Sequence, residues 1–491
     1  MFACLSRLDA MKRREFIEKA AKAAVATTCL GMGPSLGCGR KTGRAATEER
    51  PNIVLLVADD LGWKDLGCYG DEQIGTPHID GLAAEGVRFS NAFVAAPSCS
   101  PSRASIITGQ HPHSNGVTGL THRHKRQMLS PFKTTLVDVL DRSGYNTAFE
   151  GKWHVAPYLP TGWYGYAERL SGILPKDFWI RSSDQAIAFI EENRSNAFYL
   201  ELNYMDTHRD DQGEFHFVKE FPVDPEKIAV PEYYALPNWP EIREEVAKYY
   251  SNASKMDMMI GKVMAKLEEL QLVEKTLVCF VSDNGPPFPG NKMTLYDRGI
   301  GTPLVMRWPG KIPAGTVNDS LVSAIDLMPT FLEAAGAEIP TEVQGKSLLS
   351  LAMGRGGEAS RDAIFAEMTY HVHYLPMRAV RTARWKYIRN YSDDAVGLDQ
   401  CAHMEWAQRL SQLPDQGWTR PRVPEELYDL ENDPNEQQNL VADPASEPAL
   451  EMLRRRLDRQ MAETRDPYLG SAFEKNFSAK GPEHPAGTRY P

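Results

Sequence analysis

Acidic side chains occur together at two places, each directly after a short apolar run. Asp59 and Asp60 follow the run that ends at Ala58, and Asp283 and Asn284 follow a second run. Adjacent carboxylates repel each other unless a cation or solvent screens them, and oxygen ligands suit Ca²⁺ or Mg²⁺ better than zinc. Taken alone, each pair is equally compatible with a solvated loop or a helix cap. Together they predict a divalent-cation site, because parallel strands would bring both pairs to one edge of a sheet.

A cysteine at an expected helix start is the third candidate group. Cys99 begins the run Cys-Ser-Pro-Ser-Arg, which continues as Ala-Ser-Ile-Ile-Thr-Gly. Pro101 is typical of a first helical turn, and the helix is expected to extend to about Thr108. Cys99 then lies at the helix N-terminus, where unpaired N–H groups and the macrodipole favour an anion. A lone cysteine there is ordinarily structural, but this longer pattern is more specific.

Short apolar runs alternate with helical patterns along residues 51–360. The expected strands are Asn52–Ala58, Val87–Val94, Asn146–Phe149, Ala197–Tyr204, Thr276–Ser282 and Pro303–Arg307. The expected helices are Ile79–Glu85, Thr134–Ser143, Glu241–Leu270 and Ala324–Ala335. Such alternation predicts an α/β fold with a mostly parallel sheet covered by helices on both faces. Ligands bind outside the carboxyl ends of such strands, where the acidic pairs lie.

The pattern changes after residue 360. Residues 361–467 are expected to form a smaller C-terminal subdomain, an antiparallel sheet with one packing helix, and residues 468–491 an irregular tail. The expected strands are Ala363–Glu367, Met377–Thr382 and Trp385–Arg389, and the expected helix is Pro448–Glu463.

Residues 1–50 are expected to be an export signal and linker. Arg13 and Arg14 precede a modest apolar stretch, a pattern that resembles a bacterial twin-arginine signal and makes Met11 a plausible start. The alternative is a basic amphipathic helix. The twin-arginine export machinery would then be a partner, and the protein would be periplasmic, with Cys38 as a candidate site for a lipid anchor, or extracellular. No later stretch reaches the roughly 18 apolar residues that a transmembrane helix needs.

Composition narrows the class of ligand. The chain has 491 residues, 42% of them hydrophobic, and a net charge of −10, so no overall basic field attracts nucleic acid. An anionic substrate must therefore be held by local cations in a pocket. Seven cysteines in a chain of this length do not indicate a disulfide scaffold.

The segment Cys99–Arg103 resembles the signature of type I sulfatases, in which a maturation enzyme oxidises the cysteine to formylglycine. The resemblance extends from Pro51 to about Pro467 and implies an alkaline-phosphatase-like fold. Further matching segments are Ala58–Asp60, Gly151–His154, Asp206–His208, Ser282–Gly285, Asn291–Tyr296 and Glu426–Pro434.

The resemblance implies a role for each matched position. Four side chains would hold one Ca²⁺ together with the hydrated aldehyde at residue 99: Asp59, Asp60, Asp283 and Asn284. Arg103 and Lys152 would stabilise the formylglycine, and Lys152, His208 and Lys292 would bind the sulfuryl oxygens. His154 would act on the second hydroxyl of the gem-diol, and His208 would protonate the leaving group. Calcium and the helix end would activate the nucleophile and supply positive potential.

Within this family, the chain is most similar to N-sulfoglucosamine sulfohydrolases, or sulfamidases. The similar segments are Ser98–Ser105, Asn115–Gly116, Asp206–Arg209, Ser282–Pro289 and Tyr374–Arg378. This implies a sulfated saccharide substrate, with N-sulfoglucosamine at the end of heparin or heparan sulfate fragments expected first. The candidate substrate-binding residues are Asp206, Arg209, Glu367, His371, His373 and Arg378, although exposed polar loops would explain the residues before Tyr374 equally well. Lys292, where sulfamidases carry arginine, and the segment Tyr296–Pro303 depart from the sulfamidase pattern.

Three other functions stay open. An O-sulfatase acting on another sulfated glycan would use the same site. Some phosphonate and phosphodiester hydrolases share the formylglycine motif. A carbohydrate-binding protein without activity is disfavoured because every expected catalytic position is filled.

Overall fold

The computed structural model describes residues 50–121, 128–156, 165–170, 183–216, 218–356, 361–413 and 417–474. The expected export signal with Cys38, and residues 475–491 of the expected tail, lie outside the described residues. The described part of the chain belongs to one compact unit that begins at Arg50. Among its helices, none has the length and apolar character needed to cross a membrane.

An eight-stranded sheet forms the centre of this unit. Its strands are β1 Asn52–Ala58, β2 Val87–Phe93, β3 Asn146–Gly151, β4 Glu168–Arg169, β5 Phe198–Tyr204, β6 Thr276–Ser282, β7 Leu304–Arg307 and β8 Thr316–Ser323. They lie in the order β4-β3-β5-β1-β6-β7-β2-β8, and all pairs are parallel except those that β7 makes. The central strands β1, β5 and β6 are buried along their whole length, as expected for apolar strands covered on both faces.

Helices connect these strands. They are α1 Pro77–Ala84, α2 Cys99–Thr108, α3 Pro112–Asn115, α4 Leu136–Arg142, α5 Asp184–Asn193, α6 Pro240–Glu269, α7 Asp297–Ile300, α8 Leu327–Ala334 and α9 Leu349–Ala352. Local signals explain several of their boundaries. Thr135 and Asp138 form a capping box at the start of α4, and Pro240 occupies the first turn of α6.

A four-stranded antiparallel sheet follows in the C-terminal part. Its strands are β9 Ile364–Tyr370, β10 Tyr374–Arg381, β11 Trp385–Asn390 and β12 Glu425–Asp429, in the order β12-β11-β10-β9. The helices here are α10 Glu405–Ser411 and α11 Glu447–Thr464. The helix α11 packs on β10 and β11 through a core that includes Tyr387, Leu453 and Leu457. The expected α/β fold with a smaller antiparallel sheet and packing helix is therefore confirmed.

Strand register determines where the functional side chains can meet. Ala58 at the end of β1 pairs with Tyr204 of β5 on one side and Ser282 of β6 on the other. Gly151 at the end of β3 pairs with Asn203. The residues directly after these strands therefore emerge together at the carboxyl edge of the sheet.

Candidate active site

Cys99 is the first residue of α2 and lies against the acidic pair that follows β1. Its side chain is fully buried, with Sγ 3.5 Å from Oδ1 of Asp59 and 3.8 Å from Oδ1 of Asp60. Burial raises the pKa of the Cys99 thiol. The unmodified thiol is therefore protonated and a poor nucleophile.

The acidic groups expected from the sequence form a single ring. The backbone N–H of Asp60 donates to Oδ1 of Asp283 over 3.1 Å, and Nδ2 of Asn284 donates to Oδ1 of Asp60 over 2.7 Å. All the side chains of this ring, including that of Asp59, are fully buried. Asp60 has a φ of 66°, a backbone conformation that is uncommon outside glycine and recurs at functional sites.

Three buried cations lie within this ring. Nε of Arg103 is 2.7 Å from Oδ2 of Asp283, and Nζ of Lys292 is 2.7 Å from Oδ2 of Asp60. Nζ of Lys152 contacts Asp59. Burial alone would raise the pKa of Asp59, but the charges of Lys152, His208 and Arg103 outweigh it and lower that pKa. The ring is therefore a densely charged, desolvated pocket.

The donor set fits an oxygen-ligated divalent cation. Three carboxylates converge, and among the described residues no hydrogen bond reaches the buried Oδ1 of Asn284. Burial raises the pKa of Asp283 to about 7, although Arg103 opposes this. A nearby cation favours the charged form of such a carboxylate, and oxygen ligands are those that Ca²⁺ and Mg²⁺ prefer.

Of the two expected histidines, His208 contacts the acidic ring. Nε2 of His208 is 3.7 Å from Oδ2 of Asp60, and its Nδ1 donates to the backbone carbonyl of Arg209. Burial, reinforced by Lys152, lowers the pKa of His208 to about 4. His154 follows β3 with a φ of 53° and is partly exposed. The structure thus brings together all the residues expected to bind metal or sulfate.

Two of the expected substrate-binding residues form ion pairs with other side chains of the protein. Oδ1 of Asp206 is 2.7 Å from Nζ of Lys255. The guanidinium of Arg209 is 2.5 Å from Glu245, and only 1% of this arginine is exposed. Both residues are thus engaged with other side chains of the protein, and their expected contact with substrate stays a prediction.

Arg378 likewise pairs with a side chain of the protein, and its expected contact with substrate also stays a prediction. Its Nε is 2.5 Å from Oδ2 of Asp466, and its side chain is buried. Glu367 belongs to this buried cluster because it contacts the ring of His113 and lies 3.8 Å from Arg378. We therefore place Arg378 and Glu367 in a charge cluster between β9, β10 and the segment after α11.

The two remaining candidates, His371 and His373, follow β9. Nδ1 of His371 is 2.8 Å from Oγ of Ser98, the residue before Cys99, and Nε2 is 3.4 Å from Oδ2 of Asp399. Nε2 of His373 is 3.4 Å from the carbonyl of Ala395. Only His371 is therefore linked directly to the helix that carries Cys99.

Sequence reasoning missed two polar residues at this site. Oδ1 of Asn203 accepts a 2.5 Å hydrogen bond from Arg103. Its position near the end of β5 is a signal that could have identified it. Asp399 approaches from a C-terminal loop, and no motif or periodicity indicates it.

The fold and the charged pocket define an alkaline-phosphatase-like hydrolase. Residues 51–337 match the model of the sulfatase family, and residues 290–399 match that of the N-sulphoglucosamine sulphohydrolase C-terminal domain. The chain belongs to the sulfatase family and is a sulfuric ester hydrolase. This family is generally dependent on formylglycine and a metal ion.

Individual relatives agree with this assignment. The human N-sulphoglucosamine sulphohydrolase is 31% identical, and the match covers 85% of this chain and 91% of that protein. An ulvan-active sulfatase of Formosa agariphila is 30% identical, with 82% and 78% covered. A solved structure in complex with its substrate D-glucosamine-2-N,6-O-disulfate shares the fold, with a TM-score of 0.66, 20% identity, and 88% and 100% covered. The expected similarity to N-sulfoglucosamine sulfohydrolases is thus confirmed.

Proposed function

We propose that this protein is a calcium-binding, formylglycine-dependent sulfatase that acts on a sulfated saccharide, with terminal N-sulfoglucosamine of heparin or heparan sulfate fragments as the preferred substrate. One observation carries the proposal. Sγ of Cys99, at the N-terminus of a buried helix, lies within 3.8 Å of both Asp59 and Asp60, and buried cations surround these carboxylates.

The names of similar proteins support the saccharide. The human relative is an N-sulphoglucosamine sulphohydrolase, and the C-terminal family match carries the same description. The solved structure with a sulfated glucosamine shows that a saccharide of this class binds to a protein of this fold. An O-sulfatase is the second candidate, because the ulvan-active relative is almost as similar.

The chain's own residues would prepare the site for an anionic ester. Nε of Arg103 contacts Asp283 and holds it in place. Nη1 of the same arginine donates a hydrogen bond to Asn203. Lys152 and Lys292 supply two ammonium groups that can bind the sulfuryl oxygens. A Ca²⁺ held by the four residues of the acidic ring would add positive potential and favour the nucleophile at residue 99.

The two histidines would move protons at defined atoms. Because Nδ1 of His208 donates to a carbonyl, its Nε2 is the atom that faces the pocket. In the neutral ring this atom accepts a hydrogen bond. A bound sulfate raises the pKa of a neighbouring histidine, which would let Nε2 protonate the leaving group. His154 would remove the proton from the remaining hydroxyl at residue 99, so that the sulfate is released.

The chain would be matured and exported before it acts. A formylglycine-generating enzyme would modify Cys99, and the twin-arginine machinery would export the chain through residues 1–50 to the periplasm or the exterior. Residues 51–360 would be the catalytic domain, and residues 361–467 a smaller subdomain. Comparing the periplasmic fraction of wild-type cells with that of an Arg13→Lys, Arg14→Lys variant tests the export route.

A single preparation of the purified protein tests both the conversion of Cys99 to formylglycine and the choice of substrate. The tryptic peptide 89–103 should be lighter by about 18 Da when Cys99 is converted, and the Cys99→Ala variant should be inactive. The matured protein is then incubated with N-sulfoglucosamine and with 6-O- and 3-O-sulfated glucosamine. Release from N-sulfoglucosamine is expected. Release from only the O-sulfated sugars would favour the O-sulfatase, and faster cleavage of a phosphonate ester would favour the third alternative.

A further inference from the structure

A carboxylate from the C-terminal part of the chain lies beside the proposed sulfate-binding residues. Asp399 begins a short turn, 399–401, and lines a small gap of about 10 Å³ together with Lys292 and Gly290. Its φ is 49°, a left-handed conformation that costs free energy for a residue other than glycine and that aspartate tolerates better than most. The surrounding structure therefore holds this side chain in a defined place.

Asp399 is tied to the nucleophile helix through one histidine. Nε2 of His371 is 3.4 Å from Oδ2 of Asp399, and its Nδ1 is 2.8 Å from Oγ of Ser98. Ser98 directly precedes Cys99, and its hydroxyl makes no capping hydrogen bond to α2. His371 thus connects the carboxylate to the residue next to the nucleophile.

One oxygen of Asp399 is available to a ligand. Among the described residues, only His371 approaches this side chain within ion-pair distance, and it does so at Oδ2. Burial alone would raise the pKa of Asp399, but His371, Lys292 and His208 outweigh it and lower that pKa. The group is therefore an ionised acceptor, and 17% of its side chain is exposed.

A purely structural role accounts less well for this carboxylate. Lys292 already has a partner in Asp60 at 2.7 Å, so it does not need Asp399 for neutralisation. The buried Asp466, by contrast, has both oxygens bound by Arg378. Asp399 lacks such a bidentate cation, and part of its side chain stays exposed.

We propose that Asp399 is a specificity-determining residue that accepts a hydrogen bond from a hydroxyl or N–H group of the sugar next to the scissile sulfate. A carboxylate repels the sulfuryl oxygens, so it recognises the donor groups of the saccharide. His371 is its positioning residue. This inference rests on the proposed function and deepens it by naming how the saccharide is selected, since a site built around a buried polar group rejects analogues that lack its partner.

The test compares Asp399→Ala with wild type on three kinds of substrate. The first is the sulfated glucosamine that the wild type cleaves best. The second is the set of its mono-O-methyl ethers together with its N-methyl derivative, each lacking one donor. The third is 4-nitrophenyl sulfate, which has no donor next to the ester. Glu405→Gln, an exposed acidic residue at the start of α10, is the matched control.

We expect Asp399→Ala to lower kcat/KM on the sulfated sugar by about 10- to 100-fold, as for the loss of a hydrogen bond to a charged group. Activity on 4-nitrophenyl sulfate should stay within about twofold. For one of the methylated derivatives, wild type should show the same drop in kcat/KM, and Asp399→Ala should lower kcat/KM on that derivative no further. That derivative identifies the donor as a particular hydroxyl or as the N–H.

Other outcomes overturn the inference in distinct ways. If Asp399→Ala discriminates among the methylated sugars as wild type does, Asp399 does not accept a hydrogen bond from the sugar. If Asp399→Ala lowers activity on the sulfated sugar and on 4-nitrophenyl sulfate by the same factor, Asp399 does not select the sugar. If wild type cleaves 4-nitrophenyl sulfate but no sulfated sugar, the saccharide proposal itself fails. A His371→Gln variant should lose sugar activity selectively, as Asp399→Ala does, and a uniform loss would contradict its positioning role.

Discussion

Nζ of Lys292 lies 2.7 Å from Oδ2 of Asp60, although both residues are expected to bind other partners, sulfate and calcium. Lys152 and Asp59 show the same relationship at the neighbouring carboxylate. A divalent cation in the ring would compete with the two ammonium groups for these oxygens. The cation would thereby release both lysines toward the substrate, so that metal and sulfate binding favour each other.

Calcium should stabilise the folded protein. At a free concentration ten times its dissociation constant, Ca²⁺ should raise the free energy of unfolding by about 1.4 kcal/mol, because it binds only the folded ring. Thermal unfolding with added Ca²⁺ and after chelation measures this effect. Asn284→Ala should reduce the shift, whereas Glu405→Gln should keep it. A melting temperature that is the same with added Ca²⁺ and after chelation would contradict the proposed metal site.

Removing the ammonium group of Lys292 should impair catalysis more than folding. We expect Lys292→Ala to lower kcat/KM by about 10²- to 10³-fold, as for other groups that stabilise a developing anion. Lys292→Arg should retain more activity because it keeps the positive charge. Steady-state kinetics on matured protein measures both variants. Lys266→Ala, which removes a partly buried lysine of α6 that pairs with Glu191 of α5, serves as the control, and its kcat/KM should be unchanged.

The buried ion pair of Arg378 and Asp466 should contribute strongly to stability. Asp466→Asn removes the nearest counter-charge of the guanidinium and leaves only Glu367 at 3.8 Å, and breaking a buried pair in this way costs about 3–5 kcal/mol. The pair of Arg384 and Asp429 is the matched comparison, because the Arg384 side chain is 51% exposed. Arg384→Ala should cost less than about 1 kcal/mol. Denaturant unfolding measures both, and equal losses would contradict the structural role given to Arg378.

Many residues at the carboxyl edge of the sheet could be predicted from sequence, because polar residues that directly follow apolar runs mark the ends of strands. The run before Asp59 and the run before Asp283 are apolar and β-branched, and the structure places them side by side as β1 and β6. Three strands were not expected, β4, β8 and β12. The first half of β8 alternates exposed and partly buried residues and contains Asn318 and Asp319, which are uncommon in strands, so tertiary pairing with β2 determines it.

The partners of the candidate sugar-binding residues could not be predicted from sequence, because side-chain contacts depend on long-range packing. Arg209 and Arg378 lie in segments similar to those of sulfamidases, yet Glu245 and Asp466 neutralise them inside the protein. These acidic partners lie 36 and 88 positions away along the chain. Asp399 illustrates the converse, since only the packing of its loop against His371 brings it to the site.

The contact between His113 and Glu367 should make stability depend on pH. Burial alone would lower the pKa of His113, but Glu367 and Asp466 outweigh it and raise that pKa, with Arg378 opposing them. The neighbouring His111 has its pKa lowered to about 4 by burial, so it is neutral near neutral pH.

A pKa raised in the folded state stabilises the protein fully below the unfolded value, about 6.5 for histidine, and this contribution is lost as the pH rises through the folded value. The pKa of Glu367 is lowered, because His113 and Arg378 outweigh burial. Its contribution is therefore present above about pH 4.3 and is lost as the pH falls. Both contributions coexist between about pH 4.5 and 6.5.

His113→Gln should therefore destabilise the protein most within that window. The difference in unfolding free energy from wild type should shrink as the pH rises above about 6.5, because the unfolded chain then loses the proton that folded His113 retains. Denaturant unfolding at pH 5.5, 7 and 8.5 measures the difference, with Glu405→Gln as the control for a surface change. A difference that is constant over this range would show that His113 contributes by packing and not by its charge, since only the charged form responds to pH.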